Sequence, residues 1–244
     1  MQNTNALYKQ LLAAGAIKVI QATISKPNGS SPVLYEQNRI AAAKTSASMF
    51  GDKAATVGNC VAKKLNIVLL NPGNIPRTAR IKMEFKLVDQ ASGEESSWYP
   101  KGTFYVDTRS QDTYNRLSIE AYDAMLKASQ QYYTQDGDQG RWPRTDHMRI
   151  VEEIAARMGV EIDTRTRDIV KKNFEIGYPG YGEDAYTCRD VLGFIGAMYG
   201  GNWVITDEDK LRLIVLGDIP ADTNFLINEE GDRLTIGGDR IIVN

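Results

Sequence analysis

The spacing of apolar residues changes period several times along the chain. Asn5 to Ala14 places Leu7, Leu11 and Leu12 at helical spacing with Gly15 as a stop, which predicts a short N-terminal helix or arm. The period then falls to two. "IKVIQATIS" alternates, "PNGSSP" breaks the pattern, and "RIAAAKTSASMF" and "GNCVAKKLNIVLL" continue as β-like runs up to the breaker "NPGNIP". "ARIKMEFKLVD" alternates from Ile81 to Val88, as a strand with one buried face does, and "ASGEESS" reads as a turn. "WYPKGTFYVDT" and "NRLSIEAYDAML" complete a series of about six strands with short polar connections, which predicts a largely antiparallel barrel or sandwich. Asp123 follows the last of these and precedes the helix-forming "AMLKASQQYY", so it stands as the N-cap.

"TQDGDQGRWPR" has no apolar periodicity before Trp142 and reads as a linker, so a boundary is expected there. Thr145 or Asp146 caps the next helix, whose Met148, Val151, Ile154, Ala155 and Met158 form one apolar face ending at Gly159; "VEID" after it reads as a short strand. Thr187 caps another helix through Val191, Leu192, Ile195 and Met198, closed by Gly200-Gly201. "NWVIT" and "KLRLIVL" form a hairpin across "DEDK". "DRLTIGGDRIIVN" reads as two short strands, and its stop directly after an apolar run suggests part of something longer. The expected fold class is α+β and β-rich. A barrel-like antiparallel tube domain with an exit helix occupies 1–135, and a smaller α+β module of two helices and a hairpin occupies 136–217. The start of a further, truncated β segment occupies 218–244.

Composition narrows the function without naming it. A chain of 244 residues can bury roughly 70–75% of its unfolded surface and needs no staple. A net charge of −2, with Lys and Arg scattered among acids, provides no basic field for nucleic acid. No stretch approaches the ~20 apolar residues of a membrane span, and "MQNTNALYKQLLAAGAIKV" lacks the charged leader, long apolar run and small-residue cleavage site of a secretion signal, so none is expected. Cys60 and Cys188 stand far apart in no metal or redox spacing, so reduced, packed thiols are expected, as in a cytosol.

Candidate chemistry is sparse. His147 is the only histidine, so a hydrolase would have to combine it with Cys188 or a serine; no Gly-x-Ser-x-Gly accompanies it, and a surface or cap-region residue is the plainer reading. Asp207, Glu208 and Asp209 offer oxygens for a hard cation but lack the calcium-loop pattern and suit a solvated hairpin turn. Glu94-Glu95 and Glu229-Glu230 are likewise turn charges. Tyr178, Tyr181 and Tyr186 in "YPGYGEDAY" would make a platform for a saccharide or protein, though tyrosines packed on a neighbour or on the body of the protein explain the loop more simply. "IGGDR" and "MYGGNW" are not phosphate loops, since neither opens a helix. No catalytic, cofactor-binding or metal residue is expected, which favours a structural or interaction protein.

The strand "WYPKGTFYVDT", the strand ending "LSIEAYDAML", the helix "YTCRDVLGFIGAMYGGNW" and the hairpin "WVITDEDKLRLIVL" together resemble the central hub proteins of phage tails and phage-tail-like particles, above all those of Gram-positive prophages. The resemblance covers about residues 50 to 244 and lies in the order and punctuation of elements. It implies a structural signature: Gly102 and Tyr105 in "P-x-G-T-F-Y-V-D", with Gly102 permitting a close bend; Tyr122 and Asp123 in "A-Y-D-A-M-L", where the barrel turns into its exit helix; and Trp203 anchoring the second hairpin. It also implies a homotrimer without enzymatic activity, each subunit giving two tube domains to a pseudo-sixfold ring in the baseplate of a virion assembled in the host cytoplasm. Such a ring joins a hexameric tail tube or its initiator to a trimeric spike, with a tape-measure protein as a further partner. Family members continue past the point where this chain stops.

Overall fold

A computed structural model of the chain describes residues 5–27, 29–49, 56–113, 115–132, 145–170, 175–176, 186–217, 235–236 and 239–240. Helix α1 (Ala6–Ala13) is capped by Asn5, whose side chain accepts from the Tyr8 amide at 2.8 Å. The period-two segments then become β1 (Ile17–Ser25), β2 (Val33–Tyr35), β3 (Ile40–Ser46), β4 (Cys60–Val61), β5 (Lys64–Leu70), β6 (Arg80–Val88), β7 (Tyr99–Thr113) and β8 (Arg116–Tyr122). All except β4 join one antiparallel sheet of seven strands in the order β2-β1-β6-β7-β8-β5-β3.

This sheet curls without closing. Its edge strands β2 and β3 are joined only by residues 36–39, including a 3₁₀ turn at Gln37–Arg39, a link that spans no more than about 18 Å. Among the described residues β2 and β3 do not pair, so the barrel-like expectation holds for the curl but not for closure. The reason is local: β2 has three residues, too short to carry a ladder onward, and the tight turn redirects the chain at once. Alternate residues face one core, with Leu65, Ile67 and Leu69 from β5, Ile81 and Met83 from β6, Phe104 from β7, and Leu117, Ile119 and Ala121 from β8. At the far end of β6, α1 covers the sheet with Leu11 and with Tyr8, whose ring stands edge-on to those of Phe85 and Tyr99.

The second half comprises β9 (Thr145–Asp146), α2 (His147–Met158), β10 (Glu161–Ile162), α3 (Thr164–Ile169), β11 (Glu175–Ile176), α4 (Cys188–Met198), β12 (Gly201–Ile205) and β13 (Lys210–Val215). The residue pairs β14 (Thr235–Ile236) and β15 (Asp239–Arg240) bond antiparallel to each other, as do β9 and β11. A four-stranded sheet in the order β10-β13-β12-β4 carries α2 and α4 on one face. Its β12–β13 hairpin is antiparallel, while β10 and β4 add parallel at the two edges. Asp146 caps α2 and Gly159 ends it at φ 70°; Thr187 and Asp190 form a reciprocal capping box on α4.

Several elements depart from the sequence pattern. The run "GNCVAKKLNIVLL" divides at Ala62-Lys63, so that β4 belongs to the second sheet and β5 to the first. The segment after Asp123 is a 3₁₀ turn, Ala124–Ser129, rather than an α-helix, because Gln130 and Tyr132 return to extended backbone and bond Cys188 and Tyr186. Ala124, Met125, Ala128 and Tyr132 pack into the second core with α2, α4, β12 and β13. Helix α3 was not expected from periodicity; Asp163 caps it and also bonds Arg165. The linker "TQDGDQGRWPR" lies outside the described residues.

Candidate functional site at the seam between the cores

Where the chain passes from the large sheet into the second core, Asp123 is 2% exposed and fully engaged. Its amide donates to the Lys63 carbonyl at 3.0 Å, one carboxylate oxygen accepts from the Lys63 amide at 2.9 Å, and the other caps the 3₁₀ turn by accepting from Met125 at 3.0 Å. Lys63 is the residue at which β4 crosses to β5, so this exchange fastens the crossing. Burial pushes the Asp123 carboxyl up to about 6, against the pull of the two amides and of the Lys63 charge.

The strand β7 carries a bulge at the same place. Met83 lies opposite Gly102 but Glu84 lies opposite Pro100, leaving Lys101 as the extra residue, and Gly102 takes φ 107°, a conformation glycine adopts without steric cost. The turn between β12 and β13 docks onto this bulge. The Thr103 amide and hydroxyl donate to the two Asp209 oxygens at 2.6 and 2.7 Å. The two Asp207 oxygens accept from Lys63 at 2.5 Å and Lys101 at 3.0 Å. Burial alone would raise the Asp207 carboxyl, but the two ammonium groups outweigh it and hold it below its ordinary value. With four oxygens committed to the first module, these aspartates are a clamp between modules, not a cation loop or a freely solvated turn.

The second core is also tied together internally, from α4 to β12, to β4 and to the 3₁₀ turn. Trp203 is fully buried, donates its indole N–H to the Leu192 carbonyl at 2.6 Å, and lies over Gly196, where a Cβ would come within 3.0 Å of the indole nitrogen. Asn202, also fully buried, accepts from the Asn59 amide at 2.8 Å. Arg189 of α4 donates to the carbonyls of Cys60 at 2.7 Å and Met125 at 3.0 Å, tying β4 and the 3₁₀ turn to one helix.

Of the signature residues, Gly102 and Asp123 meet around Lys63. Tyr105 packs against the second core beneath the Lys127 ammonium, 4.1 Å from its ring centre, and Trp203 lies inside that core. Tyr122 points elsewhere, donating to Glu120 at 2.7 Å beside the Glu120–Lys64 ion pair. Lys63, Thr103, Arg189 and Asn202 escaped sequence reasoning, since nothing in spacing marks a residue whose partners are a hundred positions away.

The hydrolase reading finds little support in the geometry. His147 lies in the cap region, directly after Asp146, but is fully buried and not on the surface, because it opens α2 on the face turned to α4, with Nδ1 3.2 Å from the Tyr199 hydroxyl. Burial lowers its pKa against the opposing effect of Asp146. Cys188 is fully buried and its thiol raised by burial; that of Cys60 is pushed up to about 12, so neither is a thiolate at neutral pH. Tyr186 stacks edge-on against Phe194 with ring centres 5.1 Å apart, whereas Tyr178, Tyr181, Glu229 and Glu230 lie outside the described residues. Among the described residues no cluster of His, Cys, Asp and Glu is placed to hold a metal ion, and no helix is long and apolar enough to cross a membrane.

The chain is similar to tail proteins of known structure. They include the 43 kDa tail protein of prophage MuSo2 from Shewanella oneidensis, at 13% identity and a TM-score of 0.47 over 84% of this chain and 58% of that one. The tail protein from Neisseria meningitidis MC58 gives 10% identity and a TM-score of 0.49, over 86% of this chain and 53% of that one. Prophage tail protein gp18 from Listeria monocytogenes EGD-e gives 9% and 0.46, over 86% and 55%. The chain thus spans between 53% and 58% of the length of these structures. No protein-family model matches the sequence, and neither does any curated protein.

Proposed function

We propose that the protein is a non-enzymatic structural component of a phage or phage-like tail, a hub whose three copies form a ring between the tail tube and the spike. The observation that carries this reading is the curled sheet whose edge strand β3 (Ile40–Ser46) is unpaired on its outer side among the described residues. Natural proteins blunt such edges unless another chain covers them. Here the edge is seven residues long and includes Ala41, Ala42 and Ala43, small side chains that admit a neighbouring strand. In this reading 1–135 supplies tube wall, 136–217 flanks it, and 218–244 begins a second tube segment. The clamp at the seam supports the same role, since a ring that bears load needs its two modules held in one orientation.

Hydrogen exchange followed by mass spectrometry at rising protein concentration tests the proposal. The amides of β3 gain protection as the ring forms, while those of β6, already paired on both sides, do not change. Protection of β3 that is independent of concentration would remove its support.

A further inference from the structure

The far end of the large sheet carries a second, smaller apolar surface. Phe85 and Leu87 continue the inward face of β6 beyond Ile81 and Met83, and Tyr99 of β7 lies opposite Phe85. All three are buried, yet they stand outside the main core of that sheet. Helix α1 covers them, and it does so with few side chains. Leu11 is buried, the Tyr8 ring centre lies 4.8 Å from that of Tyr99 and 6.3 Å from that of Phe85, and the Tyr99 hydroxyl donates to Asn5 Oδ1 at 3.2 Å. At eight residues α1 is too short to persist alone, since isolated helices below about 12–15 residues are marginal, so its shape depends on the groove beneath it. Its link to β1 is Ala14, Gly15 and Ala16, with Gly15 at φ 74° in open space.

The rim of this groove is cationic, and α1 does not answer it. The Lys18 ammonium stands 4.4 Å from the centre of the Phe85 ring and the Lys101 ammonium 5.8 Å from it. Lys101 shares Asp207 with Lys63, whereas Lys18 has no ion-pair partner among the described residues. Burial and the Lys101 charge lower the Lys18 pKa, against a weaker pull from Asp207. Helix α1, "ALYKQLLA", contains a lysine and no acid, and Gln10 and Leu12 on either side of Leu11 are exposed. We propose that α1 is an exchangeable cover over a helix-docking groove, whose other occupant is an acidic amphipathic helix of a partner protein. That helix sets aromatic or leucine side chains on Phe85, Leu87 and Tyr99, at the i, i+3 spacing that Tyr8 and Leu11 already use. Carboxylates on its flanks reach Lys18 and Lys101, which α1 leaves without an acid of its own.

Two fluorescein-labelled peptides, titrated against the full chain and followed by anisotropy, test this. One is α1 with its cap, acetyl-Asn-Ala-Leu-Tyr-Lys-Gln-Leu-Leu-Ala-amide; the other carries Gln10→Glu and Leu12→Glu. The acidic peptide binds saturably and about three- to tenfold tighter than the α1 peptide, as two exposed ion pairs allow, and the preference disappears in Lys18→Gln. Leu11→Ala weakens the resident helix without touching the main core of the sheet, and it tightens both peptides at least tenfold; Tyr8→Ala acts in the same direction. Hydrogen exchange shows the α1 amides losing protection as the acidic peptide saturates, while those of β6 do not change. Absence of binding in both Leu11→Ala and Tyr8→Ala, or binding that leaves α1 protected, would overturn the exchange. Tighter binding of the α1 peptide than of the acidic one would overturn the acidic partner and assign the groove to α1 of a second copy.

Discussion

Removing the Asp209 carboxylate is the most informative single perturbation of the seam. In Asp209→Ala, Thr103 loses the acceptors of its amide and its hydroxyl, now at 2.6 and 2.7 Å. Hydrogen bonds to a charged group contribute about 1.5–3 kcal/mol each, but these two share one carboxylate and are half-buried, so the combined loss is about 2–4 kcal/mol rather than their sum. Asp209 also holds φ 61°, a left-handed conformation that aspartate tolerates better than alanine, which adds up to about 1 kcal/mol. Asp209→Gly separates the two effects, since it loses the same bonds but relieves the backbone, and it is expected to be about 1 kcal/mol less damaging than Asp209→Ala. Urea unfolding followed by tryptophan fluorescence, with Trp203 as a buried reporter, gives these differences. Thr103→Ala completes a double-mutant cycle: it destabilises the parent by about 1 kcal/mol and the Asp209→Ala protein by nearly nothing. A loss below about 0.5 kcal/mol, the range of ordinary surface substitutions, with no coupling to Thr103, would show that the turn is merely solvated, and the clamp would have to be abandoned.

Other expectations follow from the same geometry. Burial raises the Asp123 carboxyl from 3.8 to about 6, so its favourable contribution is present in full below pH 4 and is lost as pH rises through 6. That difference is worth about 3 kcal/mol; unfolding free energy measured from pH 4 to 7 should fall more steeply in the parent than in Asp123→Asn, and parallel slopes would contradict the assignment. Gly196→Ala places a methyl group 3.0 Å from the Trp203 indole nitrogen and from the Gly201 carbonyl, both in fixed structure, and should cost about 1–3 kcal/mol by overpacking. A neutral or stabilising effect in calorimetry would mean that α4 and β12 are not in the close contact described.

Elements defined by local chemistry were legible in the sequence. The alternation from Ile81 to Val88 became β6, the apolar face from Met148 to Met158 became the buried side of α2, and Asp146, Gly159 and Thr187 end their helices as their side chains or their absence dictate. What could not be read depends on distant partners. No breaker marks Ala62-Lys63, because the chain passes from one sheet to the other within two residues and the change of partner leaves no trace in the period. The helical propensity of "AMLKASQQYY" lost to strand-like bonds with Tyr186 and Cys188, a tertiary effect outweighing a local one. His147 carries a polar ring, but its position one residue inside the cap sets it on the inner face of α2, where burial follows from geometry rather than hydropathy. At the seam, the cap at Asp123 was visible as residue type and position. The turn "DEDK" was visible only as polar, and the same carboxylates serve solvation or docking depending on whether a bulge with free donors lies opposite.

The claim that the protein is a ring-forming structural component is tested most directly by its native mass in solution, measured from micromolar to millimolar concentration at low and moderate salt. The account predicts a species of three chains that grows with concentration and dissociates when charged residues replace Ala41 and Ala42 on the β3 edge. A single chain throughout that range, or an assembly that ignores those substitutions, would contradict it.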